Sequence, residues 1–123
     1  GGILFKTISE NEYQFKTTIK ENHLNAAGIT HGGFIAALVD AGAGTAAHRV
    51  AEGNPCVTIS LELQFISPAQ LGQELIGITK IQKKTRSMVF LTCEMTADNK
   101  IIATASGVWK ILGKKLPGAK PGA

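Results

Sequence analysis

Between Phe34 and Val50 the chain is so dense in apolar and small residues that no single stripe can be drawn on it, and only Asp40, His48 and Arg49 interrupt it. Such a segment reads as a helix buried on most of its sides. Thr30 is the expected N-cap, the helix is expected to begin at His31 or Gly32, and Glu52-Gly53-Asn54-Pro55 is expected to close it. About 20 residues rising 1.5 Å each make a rod of roughly 30 Å, as long as a small domain is wide. In a chain of 123 residues, everything else must be arranged around that rod. A transmembrane span is not expected, because His31, Asp40, His48 and Arg49 break the segment and its glycines and alanines lower its hydrophobicity.

The remainder reads as sheet. A short apolar run over 3–8 suits an edge strand. Tyr13, Phe15, Thr17 and Ile19 alternate along a second strand. Past the helix, Val57, Ile59, Leu61, Leu63 and Phe65 alternate with Thr58, Ser60, Glu62 and Gln64, which places Thr58 on the polar side of a long strand. Ser67-Pro68-Ala69 ends it. Further strands follow over Leu75–Lys83, Met88–Thr96 and Ile101–Leu112, with Gly107 a candidate bulge, joined by turns at Lys84-Thr85-Arg86-Ser87 and Ala97-Asp98-Asn99-Lys100. Consecutive hairpins imply an antiparallel sheet wrapped around one helix, an α+β arrangement. Residues 1–112 read as a single domain and 113–123, rich in Gly, Pro and Lys, as a flexible tail. One sheet leaves part of such a helix uncovered, so a second copy of the chain is expected to cover it.

Composition narrows the function classes. The net charge is +4, but the cations form no dense stripe interleaved with aromatics, and there is one Trp and one Tyr. Nucleic acid is therefore not the expected partner; a phosphate-bearing small molecule suits the small basic groups. Cys56 and Cys93 lack CxxC spacing and read as free thiols in a reducing compartment. Gly1-Gly2-Ile3-Leu4 does not read as a secretory leader, so a cytoplasmic location without membrane attachment is expected. No zinc pattern joins His23, His31 and His48.

Asp40 is the residue that asks for an explanation. A lone acid in an apolar helix loses hydration worth several kcal/mol or shifts its pKa upward. Ala36 and Gly44, one turn away on either side, offer no cation and leave space for a substrate or water. Upstream lie Asn25, Gly28 and His31-Gly32-Gly33. Together with Ala37-Leu38-Val39-Asp40, Val57–Phe65, Ser67-Pro68-Ala69 and Gly107-Val108-Trp109-Lys110, they resemble the hotdog-fold thioesterases, in particular the phenylacetate-pathway (PaaI-type) acyl-CoA thioesterase branch. The resemblance spans roughly 12–112. It implies the hotdog fold, a curved antiparallel sheet around a long central helix. It also implies hydrolysis of acyl-CoA thioesters, dimers with composite interface sites often paired into tetramers, and no metal or redox cofactor.

Thioester hydrolysis needs a nucleophile and stabilisation of an oxyanion. Asp40 suits general base on water or direct nucleophile. Gly32 suits the oxyanion site, because a helix N-terminus presents unpaired N–H groups and a glycine lets a carbonyl approach. His31 and Asp40 are nine residues apart, half a turn out of phase, so they cannot face each other on one helix. The helix start of one subunit can instead meet Asp40 of another. His31 is a candidate for shaping the loop or bonding the thioester, and Asn25 for orienting His31 or the lytic water. Thr58 stands where the resemblance places a Ser or Thr near the nucleophile. For coenzyme A, the resemblance points to Phe65, Ser67 and Pro68, to the hairpin residues Lys83, Lys84, Arg86 and Ser87, and to Lys110. Two other readings are weighed. A dehydratase or hydratase on acyl thioesters would pair a catalytic His with an acid in a different helix motif. An acyl-CoA sensor without turnover would have no need of Asp40.

Overall fold

The structure, a computed structural model, describes residues 3–20 and 32–113. Two strands open the chain, β1 (Leu4–Ser9) and β2 (Glu12–Thr18). The helix α1 runs Gly32–Val50, and four strands follow: β3 (Cys56–Phe65), β4 (Glu74–Lys84), β5 (Met88–Ala97) and β6 (Lys100–Ile111). All pairings are antiparallel, and the six strands lie in the order β1-β2-β4-β5-β6-β3. Among the described residues this is one helix on one face of one sheet, in accord with the sequence pattern. The hairpin of β1 and β2 includes the expected edge strand.

The helix ends at Glu52-Gly53, the expected closing turn. Gly53 N–H donates to His48 O at 3.0 Å and Glu52 N–H to Arg49 O at 3.1 Å, with Glu52 at φ 59°. This paired capping satisfies two of the last carbonyls. The expected N-cap Thr30 lies outside the described residues, as do His23, Asn25 and His31 and the tail from 114. Asp98 and Asn99, both at positive φ (50° and 63°), form the two-residue turn between β5 and β6, matching the strand twist.

Helix and sheet meet over Ile35, Leu38, Val39, Gly42, Ala43, Ala46 and Ala47. The N-terminal half packs with Phe15, Leu75 and Met95; the C-terminal half lays Ala43 and Ala47 on Trp109, Val89 and Leu91. Phe15 is fully buried, and a Cβ at Gly42 of the helix or at Gly77 of β4 would collide with its ring. Gly107 is not a bulge: it pairs in register with Leu61 and Leu91 and leaves room for the Trp109 ring.

As expected of one sheet, part of the helix is uncovered within the chain: its face carrying Gly33, Ala37, Asp40 and Ala41 is exposed, because one sheet reaches only one side of a rod. One expectation is corrected: β3 does not alternate uniformly. Its ladder with β6 pairs Thr58 with Trp109 and then Ser60 with Val108, leaving Ile59 as the extra residue of a bulge. Side-chain parity reverses there. Thr58 and Cys56 therefore share the helix-facing side with Leu61 and Leu63, rather than the polar side.

Candidate active site

Asp40 projects from the exposed face of α1, and the bulge at Ile59 turns Thr58 toward it. Thr58 Oγ1 donates to Asp40 Oδ1 at 3.2 Å. The acid is thus neither buried nor alone in the single chain, which corrects the expectation of a costly buried charge. One carboxylate oxygen is held by Thr58, and the side chain stays open to a ligand. The two residues line a cleft of about 410 Å³ shared with Ala41, Gly44, Thr45, His48, Arg49, Cys56 and Trp109. Sequence reasoning gives no site role to Thr45, His48, Arg49, Cys56 or Trp109. His48 has no evident partner in the sequence, and Cys56 and Trp109 read there as strand residues. A signal for His48 is nevertheless present: Asp40, Gly44 and His48 recur at i, i+4 and i+8 on one helix face.

Gly32 opens the helix at the other end of the same sheet. It lines a second cleft, about 320 Å³, with Ile35, Phe65, Ile66, Ser67, Pro68, Ala69 and Ile102. The Phe65 ring lies 3.6 Å from where a Gly32 Cβ would stand. As the first helical residue, Gly32 carries one of the N–H groups that the helix itself cannot pair. Asp40 and Gly32 therefore belong to different clefts, set apart by eight residues, about 12 Å, along the helix axis.

The residues assigned to coenzyme A divide in the same way. Phe65, Ser67 and Pro68 lie at the Gly32 end. Lys83, Lys84, Arg86, Ser87 and Lys110 lie at the far end, where β3 begins, since Lys110 pairs with both Val57 and Met88. A strand of ten residues separates the groups by roughly 30 Å. The cations also split between faces. A second irregularity at Gln82 sets Lys84 opposite Val89, on the helix side, and Lys83 opposite Phe90, on the outer side with Lys110. They do not converge within one chain.

Burial pushes the Cys93 thiol up to about 11, with the Thr79 hydroxyl across the ladder opposing it in smaller measure. Burial likewise raises Cys56, whose thiol faces Asn54 O at 3.5 Å. At the end of the helix, Arg49 is held outward. Its Nη1 donates to Thr7 Oγ1 at 3.0 Å and its guanidinium lies 4.3 Å over the Phe5 ring. Among the described residues no group of three His, Cys, Asp or Glu side chains is placed to hold a metal ion, and no helix is long and apolar enough to cross a membrane.

A carboxylate that accepts from a hydroxyl thus stands in an open cleft on a helix packed against one sheet. Residues 27–103 match the model of the Thioesterase superfamily, and the chain belongs to that family, as a thioester hydrolase of the hotdog fold. The human acyl-coenzyme A thioesterase 13 is 32% identical over 105 residues, spanning 84% of this chain and 75% of that protein. Among solved structures, a point mutant of the phenylacetic acid degradation protein PaaI from Thermus thermophilus superposes with a TM-score of 0.81 at 22% identity, covering 90% of this chain and 94% of that one. A thioesterase from Streptococcus pneumoniae, solved with coenzyme A, gives 0.83 at 16% identity, covering 94% and 92%.

Proposed function

We propose that the protein hydrolyses acyl-CoA thioesters to a free acid and coenzyme A at composite sites between two copies of the chain. The observation that carries this is the placement of the two half-sites at opposite ends of β3, which is an edge strand. It exposes Val57 (44%), Ile59 (55%) and Phe65 (58%) among the polar residues Thr58, Ser60, Glu62 and Gln64. An unpaired strand edge is a ready template for a second strand. Antiparallel pairing of two such edges about a two-fold axis near Leu61 brings the Gly32–Phe65 end of one copy beside the Asp40–Thr58 end of the other. It also joins the divided coenzyme A residues, so that Phe65, Ser67 and Pro68 of one copy stand near the Lys84, Arg86 and Lys110 end of its partner. Cationic side chains there suit the phosphates of the nucleotide.

In that arrangement the thioester carbonyl oxygen points at the Gly32 N–H of one copy, and the carbonyl carbon faces Asp40 of the other. As a base, Asp40 takes a proton from water. The hydroxide then adds to the carbonyl carbon, the charge on oxygen is held by the helix-start N–H, and the C–S bond breaks as the proton passes to the departing thiolate. As a nucleophile, Asp40 forms a mixed anhydride with loss of the coenzyme A thiolate, and water then cleaves the anhydride. One oxyanion donor contributes roughly 3 kcal/mol to such a transition state. Thr58 fixes the carboxylate in either route, and a single turnover in H₂¹⁸O, with label sought in Asp40, separates them. His31 is assigned to shaping the loop or bonding the thioester, and Asn25 to orienting His31 or the lytic water. Pairing of two dimers into a tetramer, and action in the cytoplasm, complete the reading.

The test is release of free coenzyme A from a panel of aryl-acetyl, hydroxybenzoyl and medium-to-long aliphatic acyl-CoA esters. Turnover of at least one member, lost in Asp40→Asn and Asp40→Ala with folding retained, is the expected result. A folded protein that releases nothing from any member would leave the sensor reading in its place. A fully active monomer by light scattering would refute the composite site.

A further inference from the structure

We infer that the Asp40 cleft carries a second recognition point at its far end, where the indole N–H of Trp109 and the imidazole of His48 bind an oxygen atom at the tip of a short acyl chain. This rests on the thioesterase reading and specifies its substrate class. The polar side chains of the cleft are mostly committed. Thr58 donates to Asp40, Thr45 Oγ1 donates to Ala41 O at 2.8 Å, and the Cys56 thiol faces Asn54 O. Trp109 and His48 are the exceptions, making no side-chain hydrogen bond or ion pair among the described residues.

Trp109 is only 2% exposed, yet it lines the cleft. Its Nε1 sits 3.7 Å from where a Gly44 Cβ would stand, so the missing side chain of Gly44 opens the path to the N–H. The N–H is not a buried orphan: it borders the open cleft, where an oxygen atom of an entering group can take the place of water as its acceptor. His48 sits one further turn along the same helix face and can donate or accept. A hydroxyl satisfies both, accepting from Trp109 and sharing its proton with His48.

Helix rise sets the length. Gly44 lies about 6 Å and His48 about 12 Å beyond Asp40 along the axis. Contact distances of roughly 3 Å at each end leave about 6 Å for the acyl group. A chain of about six carbons ending in oxygen fills it, whereas a long unbranched alkyl chain meets the polar end.

The experiment compares hexanoyl-CoA with 6-hydroxyhexanoyl-CoA, two esters of matched length. The expected kcat/KM ratio favours the hydroxylated ester about tenfold in the native protein. It falls to near unity in Trp109→Phe and in His48→Leu, with the change carried by KM. Because Trp109 is the single tryptophan, its emission reports occupancy directly. In Asp40→Asn, 6-hydroxyhexanoyl-CoA is expected to shift that emission at about tenfold lower concentration than hexanoyl-CoA. Hydrolysis of both esters at equal efficiency, or equal half-saturation of the emission change, overturns the subsite and leaves the thioesterase reading standing. Absence of hydrolysis of both esters and of the wider panel overturns the thioesterase reading, while the emission titration still decides whether the subsite binds its oxygen.

Discussion

Thr58→Val removes one hydrogen bond and keeps the shape of the side chain. In the structure that bond is 3.2 Å from hydroxyl to carboxylate and reaches an exposed acid. Hydrogen bonds to charged groups contribute about 1.5–3 kcal/mol when desolvated. The length and exposure of this one place it at the low end, near 1.4 kcal/mol, or about tenfold in rate. The expected result is a kcat about tenfold down with KM changed less than twofold, since the hydroxyl orients the acid and does not hold substrate. Thr58→Ser restores the donor and is expected within about threefold of the native rate. The thermal midpoint is expected to move little, because Thr58 is an exposed residue and such substitutions stay near ±0.5 kcal/mol. The assay is steady-state release of coenzyme A thiol, with calorimetry on each variant. A native kcat in Thr58→Val, or an equal loss in Val and Ser, would refute the assignment of Thr58 as the group that positions Asp40.

Three further outcomes follow from the packing and the edge. Gly42→Ala inserts a methyl against the Phe15 ring and is expected to destabilise by about 2 kcal/mol; adding Phe15→Leu should recover part of the loss, and additive denaturation midpoints would contradict the contact. Raising the pH from 9 to 11 deprotonates Cys93 in the unfolded chain while the folded chain, with its thiol at about 11 against an ordinary 9.0, keeps the proton. Stability present below pH 9 is therefore lost through that window, by roughly 2–3 kcal/mol; Cys93→Ala should remove this component, and identical pH dependences of the two proteins would refute it. Ile59→Lys charges the exposed β3 edge and is expected to yield a folded monomer with coenzyme A release at least a hundredfold down; a dimer of native activity would exclude this edge as the pairing surface.

The sequence makes the elements legible because their signals are local. The apolar run fixes α1, the period of two marks the strands, and the Asn, Asp, Gly and Pro clusters mark the turns. The orientation of Thr58 is not local. Val57 to Phe65 alternates without a break, so nothing in those residues announces a bulge; it emerges from the ladder, which pairs Thr58 with Trp109 and Ser60 with Val108. The exposure of Asp40 is legible only in part. One sheet cannot cover all of so apolar a helix, but composition does not say which of its residues are left uncovered. His48 escapes the sequence because charge pairing is what a sequence displays, whereas the neighbour of His48 in the cleft is an uncharged indole.

Phe15 lies far from the cleft in sequence, yet it sets the aim of the acid. Its ring is seated between Gly42 on the helix and Gly77 on β4, and it occupies the one place where both backbones lack a side chain in its way. A helix rotated by one residue, or β2 slipped along β4, would drive the ring into a side chain. The ring therefore fits one azimuth of the helix and one strand register together. Asp40 stands two residues before Gly42, so the same fit sets the direction in which its carboxylate leaves the helix. An aromatic side chain with no chemistry of its own thereby governs where the chemistry can occur.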